Sequence, residues 1–487
     1  MSRLRVGRRR FLGGLGVGAA GLLLTACGQP AAPTPVPAQP TAAAKPAEAG
    51  APKPTEAPKP AAAAPTAAPA VATKPAAAPA ASTATAAPAA KPAAGGEKVK
   101  ITFMTWGGAE RLKQWQEKVV DAFNAKNTGV EASLLPAQAD YDAKLLTMAA
   151  GGTAPDVFRL SMYVAIDYIA KGFTLDLDPY LQRDGAKIED FCLPPHTQAK
   201  YKGKWMAVPH GALGHFVIWY NRDLFKQVGV DFPKNDWTWE QMGETAKALT
   251  KGDVFGVNLG VSTYPPPYTF LWSNGGEEIA EDGKTWGGDR PESVDAIQQI
   301  ADLRHKHKVS PLPGNIPQGL GDVWLSGKVA MNYTGAWYEA TARQAKFDFA
   351  FVLPPKMKGG QVGFTEHNAT AGHNKGKNPD AEWTFLKYII GEENQRNEVV
   401  SGLNQPSNPK ILQEPTYLQI DKPPYDRRPS VPNLLVKTRG VSLIPGYSKI
   451  YEAWQQKLAP VYAGERKADE AIKEITAVAK EVIQQAG

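Results

Sequence analysis

Few side chains in this sequence could do chemistry on their own. Cys27 is the clearest, because it follows Leu24-Thr25-Ala26, a small-residue run of the kind after which a cysteine thiol is diacylated and left as the new N-terminus. The other thiol, Cys192, is then without a partner, so no disulfide is expected, and a lone cysteine of this kind reads as a small buried hydrophobe. His305 and His307 lie two apart on an expected helix and point to different sides. His210, His215, His367 and His373 lack a ligand spacing such as His-Glu-x-x-His, so neither a metal nor a cofactor is expected. Cleaving a glycosidic bond takes two carboxylates set across it, about 5–5.5 Å or about 6.5–9.5 Å apart. Glu366 with another acid stays open as such a pair, but no catalytic signature surrounds it and no Gly-x-Ser-x-Gly elbow occurs. A surface-anchored, glycoside-acting enzyme is therefore the alternative reading, and binding without turnover is the main one.

The segments around Cys27 say how it would be used. Arg8-Arg9-Arg10-Phe11-Leu12 resembles a twin-arginine export signal, and the apolar run from Leu12 to Leu24 suits a signal h-region. That run is shorter than the about 20 residues of a spanning helix. Residues 1–26 are expected to be a lipoprotein signal peptide, leaving a lipid anchor on Cys27 at the outer face of the cytoplasmic membrane. Residues 27–96 are almost entirely Ala, Pro and Thr with scattered Lys, too poor in large apolar side chains to form a core. They read as a disordered tether, extensible to on the order of 200 Å at about 3.1 Å per residue.

The formal charge of +7 invites a nucleic-acid reading, which its distribution defeats. Ten basic and two acidic residues fall before residue 97, a net +8 that leaves −1 for residues 97–487. Without a basic footprint on the folded part, no nucleic-acid partner is expected. That part is about 390 residues long, beyond the size at which a single core usually splits, so two lobes are expected.

Periodicity supplies the elements. Lys98 to Trp106 alternates as a strand and ends at Gly107-Gly108; Glu110 to Asn127 has helical apolar spacing; Val130 to Leu135 reads as a strand. Tyr141 to Ala150 reads as a helix, Asp156 to Leu160 as a strand, and the stretch through Ala170 as a helix that Gly172 ends. This alternation predicts a mostly parallel sheet with covering helices. Ligands on such sheets sit beyond the carboxyl ends of the strands. Those ends bring forward Trp106, Ser161 and Tyr163. Thr238 with Gln241 forms a capping box, and Ala468 to Gln485 is an amphipathic helix.

Several segments, in order, carry a resemblance to one family. They are Gly151-Gly152-Thr153-Ala154-Pro155-Asp156-Val157, Gly203-Lys204-Trp205-Met206-Ala207-Val208-Pro209, Trp219-Tyr220-Asn221-Arg222-Asp223-Leu224-Phe225 and Thr238-Trp239-Glu240-Gln241-Met242. Ser273-Asn274-Gly275-Gly276, Gly327-Lys328-Val329-Ala330-Met331, Gly335-Ala336-Trp337 and Asn378-Pro379-Asp380-Ala381-Glu382-Trp383 complete the series. Together they resemble the extracellular solute-binding protein family 1, the maltose-binding-like receptors of ABC importers. The resemblance implies an α/β, two-lobe periplasmic-binding-protein-like fold with hinge crossovers near 211–216, 361–363 and 405–410. Lobe 1 would hold 97–213 and 361–407, and lobe 2 would hold 214–360 and 408–487.

The resemblance also implies a monomer that closes on a small solute, a saccharide or polyol, and passes it to ABC permease subunits in the membrane. Sugars are held by aromatic faces stacked on the C–H face of the ring and by polar groups on the hydroxyls. The aromatic candidates are Trp106, Trp337, Tyr264, Tyr268 and Trp272; the polar ones are Ser161, Tyr163, His210, Glu366, His367 and Asn368. Thr365-Glu366-His367-Asn368 stands where the family usually has a small, glycine-rich turn, which points to extra polar or acidic contacts.

Overall fold

The opening strand, β1 (Val99–Trp106), leaves Val99 and Lys100 toward solvent and buries Ile101, Phe103, Met104 and Thr105, so that both of its faces are covered from Phe103 on. This is a computed structural model that describes residues 97–137, 140–212, 216–260, 267–312 and 320–487. The expected signal peptide, Cys27 and tether lie outside the described residues, as do His215 and Tyr264.

The remaining strands are β2 (Val130–Ala137), β3 (Val157–Leu160), the short pair β4 (Lys200–Tyr201) and β5 (Lys204–Trp205), β6 (Val208–Ala212), β7 (Phe216–Asn221), β8 (Phe255–Asn258), β9 (Val329–Gly335), β10 (Phe349–Val352), β11 (Gly363–Phe364), β12 (His367–Gly372) and β13 (Thr438–Arg439). They form two main sheets, ordered β2-β1-β3-β12-β6 and β10-β7-β9-β8. In the first, β1 pairs in parallel with β2 and β3, but β12 runs antiparallel to both β3 and β6. The sheet is therefore mixed where a mostly parallel one was expected. The reason is topological. β12 comes back from the second sheet and enters at the end where β1, β3 and β6 leave, so it must run against them.

Each sheet has its own core. Phe103, Trp115, Phe123 and Phe385 anchor the first, covered by the helices Tyr141–Ala150 and Pro379–Ile390. The second is built on Ile218, Met331 and Trp454, under the helices Trp239–Leu249, Pro291–His305, Tyr447–Ala463 and Ala468–Ala486. Local signals act as read: Thr238 and Gln241 close a reciprocal capping box, and Asn221 ends β7 and caps the next helix. The helix expected over 110–127 spans Ala109 to Asn124 and is interrupted by a π-helical turn, Trp115–Val120.

Two stretches tie the lobes together. The helix Met162–Ala170 follows a first-sheet strand, yet its Met162 and Ile166 belong to the second core. Its Asp167 accepts hydrogen bonds from the amides of Gly446 and Ser448 at the start of Tyr447–Ala463. The irregular run between Ile411 and Arg439 forms a small core of Leu412, Tyr417 and Val431 against Leu193 and Val399. Its Arg427 also pairs with buried Glu339 at 2.6 Å. Among the described residues no helix is long and apolar enough to cross a membrane.

Candidate functional site

A cavity of about 490 Å³ opens where the carboxyl end of the first sheet faces β7 and the end of β9. β1 delivers Trp106 to its wall. Gly107 follows with φ +153°, and an added Cβ there would stand 3.1 Å from the stem of Arg111. Glycine thus lets the next helix bring Arg111 back over the strand end. Its Nη2 donates to Asn404 Oδ1 at 2.8 Å.

β3 delivers Arg159, which is 1 % exposed. Its guanidinium carbon lies 4.3 Å from the Trp106 ring and 4.7 Å from that of Trp115, so the cation is held between two indole faces. The π-helical turn supplies the second of those rings. Among the described residues, Nε and Nη1 of Arg159 have no hydrogen-bond partner. Burial, and after it the charge of Arg111, lower its pKa to about 9 against the opposing pull of Glu398 and Tyr141. The group is still protonated at neutral pH.

Beneath the cavity runs a buried polar network. Glu398 receives Asn394 Nδ2 at 2.8 Å and Asn404 Nδ2 at 2.9 Å, and shares a 2.9 Å hydrogen bond with His210 Nε2. Burial pushes its carboxyl up, but His210 and the two amides overcome that and leave it below its ordinary value. The other ring nitrogen of His210 meets Thr370 Oγ1 at 3.2 Å.

Asp140, Tyr141 and Asp142 at the start of Tyr141–Ala150 form a second part of the wall. Tyr141 donates to the Arg159 carbonyl at 2.6 Å and meets Trp106 edge-on at 4.9 Å. Burial raises the Asp142 carboxyl. The facing wall holds Phe216, Trp337, Tyr338 and Thr341. Trp337 stands in the 3-10 turn Ala336–Tyr338, with its ring folded over Gly335; an added Cβ there would come 1.5 Å from the ring.

Five of the residues expected at a site line this cavity: Trp106, Ser161, Tyr163, Trp337 and Asn368. Ser161 caps Met162–Ala170 through the amide of Tyr163, and Asn368 Oδ1 accepts from the amide of Met162. The other five described candidates lie elsewhere. His210 belongs to the network below the floor. Tyr268 and Trp272 sit in the second core, because the helix Tyr268–Ser273 is buried all round; Trp272 donates to Glu277 and Tyr268 bonds to Tyr447. Glu366 is fully buried, accepting from the amides of His367 and Val441, and burial raises it to about 8. His367 Nε2 meets the Leu193 carbonyl at 2.8 Å, and burial lowers its pKa to about 4. Within the expected polar loop at 365–368, Glu366 and His367 are thus interior packing, and Asn368 reaches the cavity.

Sequence reasoning passed over Arg111, Arg159, Asp140, Asp142, Phe216, Tyr338 and Asn404. Arg159 did leave a signal: a cation inside Val157-Phe158-Arg159-Leu160, a strand buried throughout. Such a charge needs a partner.

Comparison with known proteins fits this geometry. Residues 105–396, more than half of the chain, match the family described as bacterial extracellular solute-binding protein. A protein of Brucella abortus (strain 2308), named as a binding protein, is 23 % identical over 388 residues, covering 76 % of this chain and 89 % of its own. Among solved structures, the ABC substrate-binding protein Lmo0181 from Listeria monocytogenes, in complex with cycloalternan, superposes with a TM-score of 0.72. It is 24 % identical, over 80 % of this chain and 99 % of that one. The GacH receptor of Streptomyces glaucescens, solved unliganded and with acarbose, gives a TM-score of 0.69 at 22 % identity, over 80 % of this chain and 100 % of that one.

Proposed function

This chain belongs to the bacterial extracellular solute-binding protein family, and from that premise we propose that it captures a saccharide or polyol between its lobes for an ABC importer. The observation that carries the reading is the cavity itself. Two indole rings, Trp106 from the first lobe and Trp337 from the second, line one space together with guanidinium, carboxylate and amide groups. That combination suits a ligand with apolar C–H faces and a rim of hydroxyls. The cycloalternan and acarbose bound by the Listeria and Streptomyces proteins lend support from the same fold.

On this reading residues 97–213 with 361–407, and 214–360 with 408–487, are the moving lobes. A solute touching both favours the closed state by its differential affinity. The closed protein, a monomer, delivers the solute to permease subunits, catalyses nothing, and stays on the outer face of the cytoplasmic membrane through lipidated Cys27 after twin-arginine export. Trp106, Ser161, Tyr163, Trp337 and Asn368 are the proposed contacts from the sequence reading, with Arg111, Arg159, Asp140 and Asp142 added from the cavity.

The test is calorimetric titration of the intact protein with a panel of neutral and acidic sugars and polyols, read beside thermal shifts. Saturable binding without turnover, weakened by Trp337→Ala, is the expected result. Silence toward the whole panel would remove the saccharide reading; hydrolysis of a bound glycoside would replace the receptor with an enzyme.

A further inference from the structure

Resting on the receptor reading, we infer that the floor of the cleft is built to hold an anionic group of its solute, a carboxylate or phosphate on a sugar or polyol, against Arg159 and Arg111. Arg159 is buried, lines the cavity, and has no carboxylate within 4.0 Å among the described residues. Its Nε–H and Nη1–H find no acceptor. A buried guanidinium in that state is costly unless something else supplies the negative charge.

The protein's own acids do not supply it. Glu398 acts on Arg159 through its charge, but its oxygens are taken by His210, Asn394 and Asn404. Arg111 is brought to the same place: its Nη2 bonds Asn404 Oδ1. A Cβ built on Gly211 (φ +68°) would stand 3.1 Å from that oxygen and 3.2 Å from Arg159 Nη2. Arg159 directly, and Arg111 through Asn404, therefore meet beside Gly211, and all four residues line the cavity there. Two guanidinium groups around one opening make a fork for an oxyanion.

Asp140 and Asp142 line the cavity from the start of their helix. They repel an anion from their own side and suit hydroxyl donors there. The solute's charge is thus directed to the arginine end, which sets its orientation as well as its class.

The experiment titrates the intact protein with matched pairs: D-galacturonate against D-galactose, D-glucuronate against D-glucose, and glucose 6-phosphate against glucose. The expected result is that in at least one pair the acidic member binds about tenfold or more tightly than its neutral partner, a difference that shrinks at high salt. Preference for the uronates assigns a carboxylate, and preference for the 6-phosphate assigns a phosphate. Arg159→Gln is expected to abolish the preference, and Arg159→Lys to keep part of it. Should the Gln variant fail to fold, the paired comparison on the unaltered protein decides alone. Neutral members binding as tightly as acidic ones, or more so, would overturn this inference and leave the sugar receptor standing. No binding by any member of either kind would overturn both.

Discussion

The phenol ring of Tyr163 lies flat on that of Tyr451, with centroids 3.8 Å apart and planes 12° from parallel. Tyr163 opens the helix that follows β3, and Tyr451 lies in the first turns of Tyr447–Ala463, so one stacked pair joins the cavity wall to the second lobe. One face of Tyr163 is thereby occupied by protein. Tyr451→Ala should lower stability by about 2 kcal/mol, counting the ring pair and the area it covers, with a matching fall in the thermal midpoint. An unchanged midpoint would mean that the stack does not hold the lobes.

Gly335 is tied to Trp337 just as closely. Since a Cβ at 335 would fall inside the indole, Gly335→Ala must displace the ring. The expected outcome is a loss of solute affinity about equal to that of Trp337→Ala, on the order of tenfold, together with altered tryptophan fluorescence. Full affinity in Gly335→Ala would show that the ring position is not needed.

Asn404 links Arg111 to Glu398 through both ends of its amide. Asn404→Ala strips a hydrogen bond from each of two charged groups, which is worth about 1–3 kcal/mol where the group is buried. The denaturant midpoint should fall and solute affinity should drop with it. Loss of stability with unaltered affinity would assign Asn404 to the scaffold alone.

Glu278 gives a pH signature. It is buried beside Tyr447 and Trp454, which donate to it at 3.0 and 2.8 Å, and burial raises its carboxyl to about 8. The unfolded chain loses this proton near its ordinary value of about 4.3, the folded one near 8, so stability falls as pH rises between those values and levels off above. Glu366, also raised to about 8, acts in the same direction. His367, lowered to about 4, acts the other way, but only up to its ordinary value of about 6.5. Above that pH the carboxyls act unopposed. Glu278→Gln, which mimics the protonated acid, should lose less of its thermal midpoint than the unaltered protein between about pH 6.5 and 8.5. Parallel declines would exclude Glu278 as a source.

The parts of the fold legible in the sequence were those set by local pattern. The alternation of β1, the Tyr141–Ala150 helix stopped by glycines and the Thr238 capping box all follow from neighbours in the chain. The direction of β12 does not, because it depends on where the chain has been in between. The site was legible where strand ends could be recognised, which brought out Trp106, Ser161 and Tyr163. Tyr268 and Trp272 look as available in sequence as Trp337. Only packing on every side of a short helix separates them from a ring that lines the cavity. Glu366 and His367 read as loop polarity because nothing local reveals that Val441 and Leu193 supply their partners.

β12 is the strand through which β3 and β6 belong to one sheet. Until it emerges during synthesis, the first sheet ends at β3 and β6 has no neighbour in it. The roughly 150 residues between β6 and β12 take on the order of ten seconds to translate at about 5–20 residues per second. Over that interval the nascent chain carries an open β-edge, the feature most prone to pairing with other chains. The second lobe, although encoded in the middle, can assemble its four strands before the first can complete its five. The sheet encoded in the middle of the chain thus has all its strands available first, while the one encoded around it stays open at β3 until its last strand is made.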